Sequence, residues 1–308
     1  MGGGRDRAHQ AAFGLVAFGL VAAVAFAGRA EAKPCDHLDR MPAVAAARTV
    51  DLIATRFDVT LDFDARFVSG TSTLTVAGLA NPSRIVAVDA VAMEINAVRD
   101  AATGATLGFD YDGRVIAIPL DPPLLEGQER SLAIDYRATP TAGLVFVRPS
   151  PRRPAGHREA WTQGEEEDTH YWLPSIDRLD DFGTTEAIVT VPRGLSVLAN
   201  GRLVAQEEVG AATRWRWRQD QPHATYLTFI AAGPYEVAHH TWRQLPVAFW
   251  YLPWQRRQAP GSLAPTFAAL DCFADTLGRT YPWEKYDQIA VSDYPFGGME
   301  NTTATPWR

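Results

Sequence analysis

The sequence predicts a mainly β protein, with an antiparallel β-sandwich or saddle-shaped sheet in its larger part and one helix near its C-terminal end. Three observations predict this architecture. Apolar and polar residues alternate in several short runs, turn-forming pairs such as Asn200-Gly201 and Gly233-Pro234 separate those runs, and one later stretch has helical spacing. Many short strands joined by frequent turns are typical of packed sheets rather than of helical bundles.

The N-terminal segment has the features of a Sec-type signal peptide. Arg5 and Arg7 precede an apolar run over residues 11–27, and Ala30-Glu31-Ala32 places small residues at positions −3 and −1 of a cleavage site. An uncleaved membrane anchor is the alternative, although the run is weakly hydrophobic and slightly short for a span. We therefore expect a signal peptide over residues 1–32, export to the periplasm or the cell exterior, and no stable membrane anchor after cleavage.

Charge and cysteine content exclude some classes of partner and scaffold. The formal net charge is −7 at pH 7, which argues against a nucleic-acid partner because the phosphate backbone requires a basic surface. The two cysteines, Cys35 and Cys272, permit one disulfide in an oxidising compartment but no disulfide framework. Whether they pair stays open at this point.

The middle of the chain, residues 33–240, is predicted to be the β-domain. Alternation with polar neighbours places one set of side chains on the buried face of each strand. These sets are Phe57, Val59, Leu61 and Phe63; Ile116, Ile118 and Leu120; Leu132, Ile134 and Tyr136; Trp215 and Trp217; and Leu227 and Phe229.

A second unit is predicted over residues 241–308. A strand at residues 247–251 precedes a helix whose apolar face carries Leu263, Phe267, Leu270, Ala274 and Leu277. Ser262 is the expected N-cap and Gly278 the expected stop, and Cys272 lies on the opposite face. This face is expected either to pack on the β-domain or to lower solubility.

The most informative motif is Gly297-Gly298-Met299-Glu300-Asn301, close to the end of the sequence. Adjacent glycines let a peptide backbone approach the chain closely, so a peptide could bind by strand addition. Glu300 could then meet a cationic group such as a free α-amine with a charge-assisted hydrogen bond. The alternative interpretation is a simple loop with a solvated carboxylate.

A second candidate motif lies upstream, at Thr162-Gln163-Gly164-Glu165, followed by an acidic run and by Tyr171-Trp172-Leu173-Pro174-Ser175-Ile176-Asp177. On its own this run is typical of an acidic surface loop.

Together the two motifs resemble the zinc aminopeptidases typified by aminopeptidase N, a gluzincin family. The resemblance extends from Tyr281 through Phe296 into the Gly-Gly-Met-Glu-Asn motif, and it recurs over residues 161–177. It departs from the usual pattern at Leu173 and Ser175, and no proline follows Asp177.

The resemblance implies a substrate site made of Gln163, Glu165, Gly297, Gly298, Met299 and Glu300. In the family the glycine-containing segment is a strand that pairs with the substrate backbone, and its glutamate recognises the free N-terminus, which is the role implied for Glu300. Gln163 would line the pocket for the first substrate side chain, and Glu165 would help to bind the amine. The implied partner is a peptide with a free N-terminus.

The resemblance also implies the domain order and the cofactor. It implies an antiparallel saddle-like β-sandwich domain followed by the truncated start of a thermolysin-like α/β catalytic domain. The full-length family uses zinc held by His-Glu-x-x-His, but none of the seven histidines lies four residues from another. They are His9, His37, His157, His170, His223, His239 and His240.

We therefore expect the amino-terminal portion of a secreted zinc-dependent aminopeptidase, without metal or catalytic groups of its own. This chain alone should bind no zinc and should be inactive, which an assay of aminoacyl anilide hydrolysis with and without a chelator would check. A frameshift, a truncated gene model or a fragment would each account for the missing helix that carries His-Glu-x-x-His in the family, and whether Arg308 is a true stop stays open. The alternative is a non-catalytic secreted β-domain protein that binds peptides or a protein partner.

Overall fold

The computed structural model describes residues 48–308 except 149, 152, 260, 262 and 263, and strands dominate this part of the chain. The predicted signal peptide, its expected cleavage site and Cys35 lie outside the described residues. The strands of the first half are β1 Val50–Asp62, β2 Phe67–Gly78, β3 Ser83–Asp89, β4 Met93–Asp100, β5 Asp110–Tyr111, β6 Val115–Leu124, β7 Glu129–Ala138, β8 Leu144–Phe146 and β9 Ala160–Thr162. Those of the second half are β10 Phe182–Pro192, β11 Ser196–Ala199, β12 Arg202–Val209, β13 Ala212–Ala224, β14 Ile230–Gly233, β15 Glu236–Trp242, β16 Leu245–Tyr251, β17 Tyr286–Ala290 and β18 Ala304–Trp307.

The strands form four sheets in the described part of the chain. The largest has the order β12-β13-β10-β1-β2-β7-β4, and its pairs are antiparallel except for the parallel pair of β1 with β10. Two smaller sheets have the orders β11-β14-β9-β8 and β3-β6-β5, and all of their strands lie between residues 83 and 233. The fourth sheet, β15-β16-β17-β18, contains the parallel pairs β16/β17 and β17/β18. The mainly β architecture expected from the sequence is confirmed.

The predicted inward faces are buried, except that Phe63 lies just past the end of β1 and is only partly buried. In β1, Phe57, Val59 and Leu61 are at most 2% exposed, and the ring of Phe57 meets that of Trp172 edge to face at 5.6 Å. Full burial of a side chain such as Phe57 stabilises the fold by roughly 1.5–3 kcal/mol. The corresponding residues of β6, β7 and β13 are buried as well, which confirms the alternation argument for those strands.

The prediction of a strand through Leu227 and Phe229 is wrong. Residues Thr225–Leu227 form a short 3-10 helix, closed by a hydrogen bond from the Thr228 N–H to the Thr225 carbonyl oxygen at 2.9 Å. Strand β14 begins only at Ile230. The apolar residues of this turn still face the core, so alternation over three positions did not distinguish a turn from a strand.

The predicted helix is present as α1, Pro265–Leu277. Gly278 ends it in the left-handed conformation, with φ of 63°, as expected for a glycine C-cap. The observed N-cap is Ala264, whereas the predicted N-cap Ser262 and the face residue Leu263 lie outside the described residues. Leu270 and Ala274 are buried, but Leu277 is 69% exposed, so the apolar face is only partly covered.

Cys272 is exposed on α1, which fits its predicted place opposite the apolar face. In the described residues no helix is both long and apolar enough to span a bilayer. The domain boundary after residue 240 falls within β15 and stays a prediction, and residues 48–308 form one compact unit.

A buried ion pair joins the fourth sheet to the rest of this unit. Lys285 Nζ donates to Asp287 Oδ2 at 2.8 Å and to the Ala199 carbonyl oxygen at 3.2 Å, and it lies 4.8 Å from the centre of the Trp217 ring. Trp250 Nε1 also donates to Asp287 Oδ2, at 3.2 Å. Burial lowers the pKa of Lys285, although the charge of Asp287 and its hydrogen bond act in the opposite direction. The pair therefore connects β17 to β11, β13 and β16.

His223 is a buried packing residue of the large sheet. Its Nε2 lies 2.8 Å from Thr185 Oγ1, and its Nδ1 lies 2.9 Å from the Ala224 carbonyl oxygen. Because a carbonyl oxygen only accepts, Nδ1 carries the proton and Nε2 accepts from the threonine hydroxyl. Burial lowers the pKa of His223 to about 4, despite an opposing effect of the Ala224 carbonyl, so the ring is neutral at pH 7.

Candidate functional site

The upstream motif begins in β9 and continues into a tight turn. Gln163 is buried and donates its N–H to the Gly143 carbonyl oxygen at 2.8 Å, whereas Glu165 is exposed. A Cβ on Gly164 would lie only 2.3 Å from the Tyr226 carbonyl oxygen. Glycine at this position is thus what lets the turn pack directly on the 3-10 helix at residues 225–227.

A cluster of polar groups holds the acidic turn at residues 165–168 in place. Asp177 Oδ2 accepts the His170 N–H at 3.0 Å and lies 3.1 Å from His170 Nδ1, and Asp89 Oδ2 accepts the Asp177 N–H at 3.1 Å. Burial by itself would lower the pKa of His170, but Asp177, with Asp89 and Glu167, outweighs it and raises that pKa. These hydrogen bonds therefore hold in place the turn that carries the exposed carboxylates.

The downstream motif follows β17 in a loop rather than in a strand of its own, which corrects the expected strand. Met299 is buried, while Gly297, Gly298 and Glu300 are exposed. Gly298 forms an isolated antiparallel bridge with Trp307, and the Met299 N–H donates to the Pro306 carbonyl oxygen at 3.2 Å.

This bridge determines which way the backbone of Gly298 faces. In an antiparallel pair flanked by hydrogen bonds of this kind, the two central residues turn their own N–H and C=O groups away from each other. The peptide groups of Gly298 therefore point away from β18. A Cβ on Gly297 would meet no atom within 4 Å, so the approach to this backbone is open.

The structure brings the two motifs into contact through Gln163. Its Nε2 donates to Met299 Sδ at 3.3 Å, and its Oε1 accepts the Tyr294 hydroxyl at 2.5 Å. Next to this contact, Trp161 Nε1 donates to the Ser292 carbonyl oxygen at 2.9 Å, and the rings of Trp161 and Tyr294 meet edge to face at 5.2 Å. Gln163 thus ties the upstream turn to the downstream loop across more than a hundred residues of sequence.

A buried carboxylate anchors the start of the downstream loop. Glu159 Oε1 accepts the Ser292 N–H at 2.7 Å and the Tyr235 hydroxyl at 3.0 Å. Its other oxygen, Oε2, lies 2.7 Å from His157 Nε2, which donates because a carboxylate only accepts. Each Glu159 oxygen therefore has a donor, as burial of a carboxylate requires.

The end of the downstream loop is anchored on the turn after β11. Asn200 Nδ2 donates to the Thr302 carbonyl oxygen at 2.7 Å, and Thr303 Oγ1 accepts the Gly201 N–H at 2.7 Å. Asn200 also holds the 3-10 helix, because its Nδ2 donates to the Leu227 carbonyl oxygen at 3.0 Å. Both ends of the motif are therefore fixed on the β-domain predicted from the sequence.

The two exposed carboxylates act on the same pair of tyrosines. Burial raises the pKa of Tyr226, and the charges of Glu300 and Glu165 raise it further. The pKa of Tyr294 is likewise raised by burial and then by Glu165 and Glu300. Glu165 and Glu300 therefore act electrostatically on the same two tyrosines.

All six predicted site residues thus lie in one region, where Gln163 and Met299 are buried together beneath exposed Glu165, Glu300, Gly297 and Gly298. Their role in substrate binding stays a prediction. Sequence reasoning did not identify Tyr226, Glu159 and Asn200 as parts of the site. Tyr226 was visible only as part of a presumed strand, and Asn200 only as a turn former. Nothing marked Glu159, because its partners are distant in sequence.

The described residues do not fit zinc. Among them, no group of three or more His, Cys, Asp or Glu side chains is arranged to hold a metal ion. The geometry supports recognition of a cation and of an extended backbone, and no catalytic step through zinc follows from it.

Comparison with protein families gives one match that covers more than half of the chain. Residues 53–227 match the Peptidase M1 N-terminal domain. This range contains the upstream motif and nearly all of the large sheet, and it ends before the downstream motif.

Curated relatives agree with this match. Aminopeptidase N of Streptomyces lividans is 25% identical over 154 residues, which cover 48% of this chain and 18% of the relative. Leukotriene A-4 hydrolase of Xenopus laevis is 24% identical over 258 residues, which cover 80% of this chain and 41% of the relative. The chain thus spans less than half the length of these two relatives.

A solved structure shares the fold. It is a mutant M1 zinc metallopeptidase from Deinococcus radiodurans bound to a Tyr-Ser-Ala substrate, with a TM-score of 0.73 and 22% identity. The match covers 85% of this chain and 61% of that protein, and at this identity it supports the fold alone.

Proposed function

The chain belongs to the peptidase M1 family through its N-terminal domain, and from this membership we propose that it provides the substrate N-terminus recognition of a secreted zinc-dependent aminopeptidase. In this proposal Glu165 and Glu300 bind the free α-ammonium of a peptide. Gln163 and Met299 form the floor beneath the first side chain, and Gly297 and Gly298 receive the substrate backbone. Zinc and the hydrolytic groups come from sequence other than the residues described here.

The observation that carries the proposal is the contact between Gln163 and Met299. This contact at 3.3 Å joins two segments that each carry an exposed glutamate, Glu165 two residues after Gln163 and Glu300 directly after Met299. Two carboxylates near one point favour a cation. An exposed edge of peptide groups favours an extended chain, and the N-terminus of a peptide combines both features.

Replacing Glu300 with glutamine tests this role. We expect the affinity for the tripeptide Ala-Ala-Ala to fall about tenfold or more, because a hydrogen bond to a charged group contributes about 1.5–3 kcal/mol. Affinity for N-acetyl-Ala-Ala-Ala, which has no ammonium group, should not change. Isothermal titration calorimetry of the two proteins with both peptides measures the difference.

The matched control is Glu94→Gln, which removes the same charge from an exposed position of β4. This variant should bind both peptides like the wild type. The role of Glu300 is contradicted if Glu300→Gln keeps the full preference for the free amine, or if the control loses it as well.

Export is part of the proposal and depends on the sequence of residues 1–32. The arginine pair, the apolar run and Ala30-Glu31-Ala32 support cleavage after Ala32. N-terminal sequencing of the exported chain should therefore begin at Lys33. A chain recovered from the membrane fraction with Met1 intact would favour the uncleaved anchor instead.

A further inference from the structure

The acidic turn at residues 165–168 lies between two fixed points of the chain. Before the turn, the Gln163 N–H donates to the Gly143 carbonyl oxygen at 2.8 Å. After it comes a short 3-10 helix, Asp168–Tyr171, in which His170 is bonded to other segments. Residues 164–169 alone separate Gln163 from His170, so the position of Glu165 depends on what holds His170.

His170 is held through its backbone and through its ring. Its N–H donates to Asp177 Oδ2 at 3.0 Å, and its carbonyl oxygen accepts the Val91 N–H at 2.9 Å. Its Nδ1 lies 3.1 Å from the same Asp177 oxygen and donates to it, because a carboxylate only accepts. Asp177 Oδ2 therefore accepts twice from His170.

The partner of His170 is a buried carboxylate with a second, partly buried carboxylate next to it. Asp177 is 5% exposed, and its N–H donates to Asp89 Oδ2 at 3.1 Å. Burial raises the pKa of Asp89 and the charge of Asp177 adds to this, although the Asp177 N–H and the charge of His170 act in the opposite direction. Two carboxylates in one such cluster repel each other unless a cation lies beside them.

The charged groups around His170 come from three segments, namely the end of β3, the acidic turn with the start of the 3-10 helix, and the segment that follows this helix. They are Asp89; Glu167 and Asp168; and Asp177 and Arg178. Arg178 is already paired with Asp180, to which its Nε donates at 2.9 Å. Burial by itself lowers the pKa of His170, but the hydrogen bond and charge of Asp177, with the charges of Asp89 and Glu167, outweigh it and raise that pKa. The protonated ring is therefore the cation that balances these carboxylates.

Loss of the proton removes the charge of His170 but not its hydrogen bond, because Nδ1 still carries a hydrogen in one form of the neutral ring. Asp177, Asp89 and Glu167 then repel each other without a counter-charge. Since the folded pKa lies above that of the unfolded chain, the stabilisation is complete below about pH 6.5 and is lost as the pH rises through the folded pKa. The segment directly attached to this cluster is the acidic turn.

We propose that His170 is a pH-sensitive switch of the acidic turn, whose protonated ring holds residues 165–168 in place and whose loss of a proton releases them. The effect on binding rests on the proposed function, in which Glu165 binds the free N-terminus of a peptide. Peptide affinity therefore falls as His170 loses its proton, in addition to any fall caused by the titration of the peptide itself.

The first test measures the turn without any peptide ligand. Glu165, Glu166 and Glu167 are cleavage sites for an endoprotease that cuts after glutamate. The rate of cleavage in the turn is compared between the full wild-type chain and His170→Gln, whose side chain stays neutral, from pH 6 to pH 9. We expect the variant to be cut about tenfold faster at pH 6 and at an equal rate at pH 9. The ratio of the two rates removes the pH dependence of the protease itself.

Two variants and one titration serve as controls. His170→Arg keeps a positive charge at every pH and should stay protected up to pH 9. Tyr171→Phe alters the same 3-10 helix but keeps the ring that lies 4.8 Å from that of His170, and it should be cut like the wild type. In the wild type, the His170 ring protons followed by NMR should titrate with a midpoint above 6.5, and the ratio of cleavage rates should change at this midpoint. The NMR titration decides the question even if His170→Gln does not fold.

The second test measures the consequence for peptide binding. Calorimetry gives the affinities of wild type and His170→Gln for Ala-Ala-Ala at each pH, and their ratio removes the titration of the peptide amine. The wild type should bind about tenfold more tightly at pH 6, and the ratio should approach one at pH 9.

The outcomes separate the switch from the proposed function. A ratio of cleavage rates that does not change with pH, or a His170 midpoint at or below 6.5, overturns the switch and leaves the proposed function standing. A ratio that changes as expected, in a protein that does not prefer Ala-Ala-Ala to N-acetyl-Ala-Ala-Ala, supports the switch and overturns the proposed function. A protein that prefers the free amine, with a ratio of affinities that is constant from pH 6 to pH 9, overturns the control of binding by His170.

Discussion

Replacing Asp287 with alanine is expected to lower the free energy of unfolding by about 3–5 kcal/mol. The change leaves the Lys285 ammonium buried without its counter-charge, and breaking a buried pair in this way costs far more than the pair itself contributes. Only the Ala199 carbonyl oxygen, at 3.2 Å, would still accept from Lys285 Nζ. Chemical denaturation at pH 7, with the midpoint and slope compared with the wild type, measures the loss.

Two further variants make this result specific to the buried pair. The double variant Lys285→Met and Asp287→Leu removes both charges and should recover most of the lost stability. Arg202→Met breaks the exposed ion pair between Arg202 and Asp220, in which the two side chains are 51% and 41% exposed. It should lower the free energy of unfolding by less than about 1 kcal/mol. If Asp287→Ala lowers the free energy of unfolding by no more than Arg202→Met does, the folded protein does not depend on Asp287 to balance the buried charge of Lys285.

The second large effect is a dependence of stability on pH through His223. Its pKa is about 4 in the folded protein and near the ordinary histidine value of 6.5 in the unfolded chain. Between these values the unfolded chain binds a proton that the native ring does not, so stability falls as the pH decreases from 6.5 towards 4. At ~1.4 kcal/mol per unit, the loss from this residue between pH 7.5 and pH 5 is roughly 2 kcal/mol.

Comparison with His223→Gln isolates this contribution from other titrating groups. Glutamine does not titrate in this range, so the difference in unfolding free energy between wild type and variant should shrink by roughly 2 kcal/mol from pH 7.5 to pH 5. The same comparison with Gln206→Ala, an exposed position in β12 that carries no titrating group, should give a nearly constant difference. A constant difference for His223→Gln as well would show that burial does not depress the titration of this ring.

Local patterns in the sequence predicted the fold where one face of a strand is buried. Phe57, Val59 and Leu61 alternate with polar residues because β1 covers the core with one face only. The same argument failed at Leu227 and Phe229, where a 3-10 turn also directs apolar side chains inward. Alternation of apolar and polar residues shows that one side of a segment is buried. It identifies a strand only when it continues over more residues than a single turn contains.

The site was predictable only in part, for a similar reason. The motif residues Gln163 and Glu300 could be identified locally, and their juxtaposition followed from the resemblance. The supporting groups could not be identified, because Glu159 and Asn200 become important only through the Ser292 N–H and the Thr302 carbonyl oxygen, which lie 133 and 102 residues away. Tyr226 likewise has meaning only once Gly164 packs against it.

The downstream loop shares its hydrophobic cluster with the large sheet, since Tyr294 and Met299 pack in the same core as Phe57 and Trp172. A segment built into a common core opens cooperatively with it rather than by local fraying. We therefore expect amide hydrogens near Met299 to exchange at rates close to those of the central strands. A destabilising substitution anywhere in the sheet would then reduce peptide binding in proportion to the fraction of protein that it unfolds. It would do so without changing any binding residue.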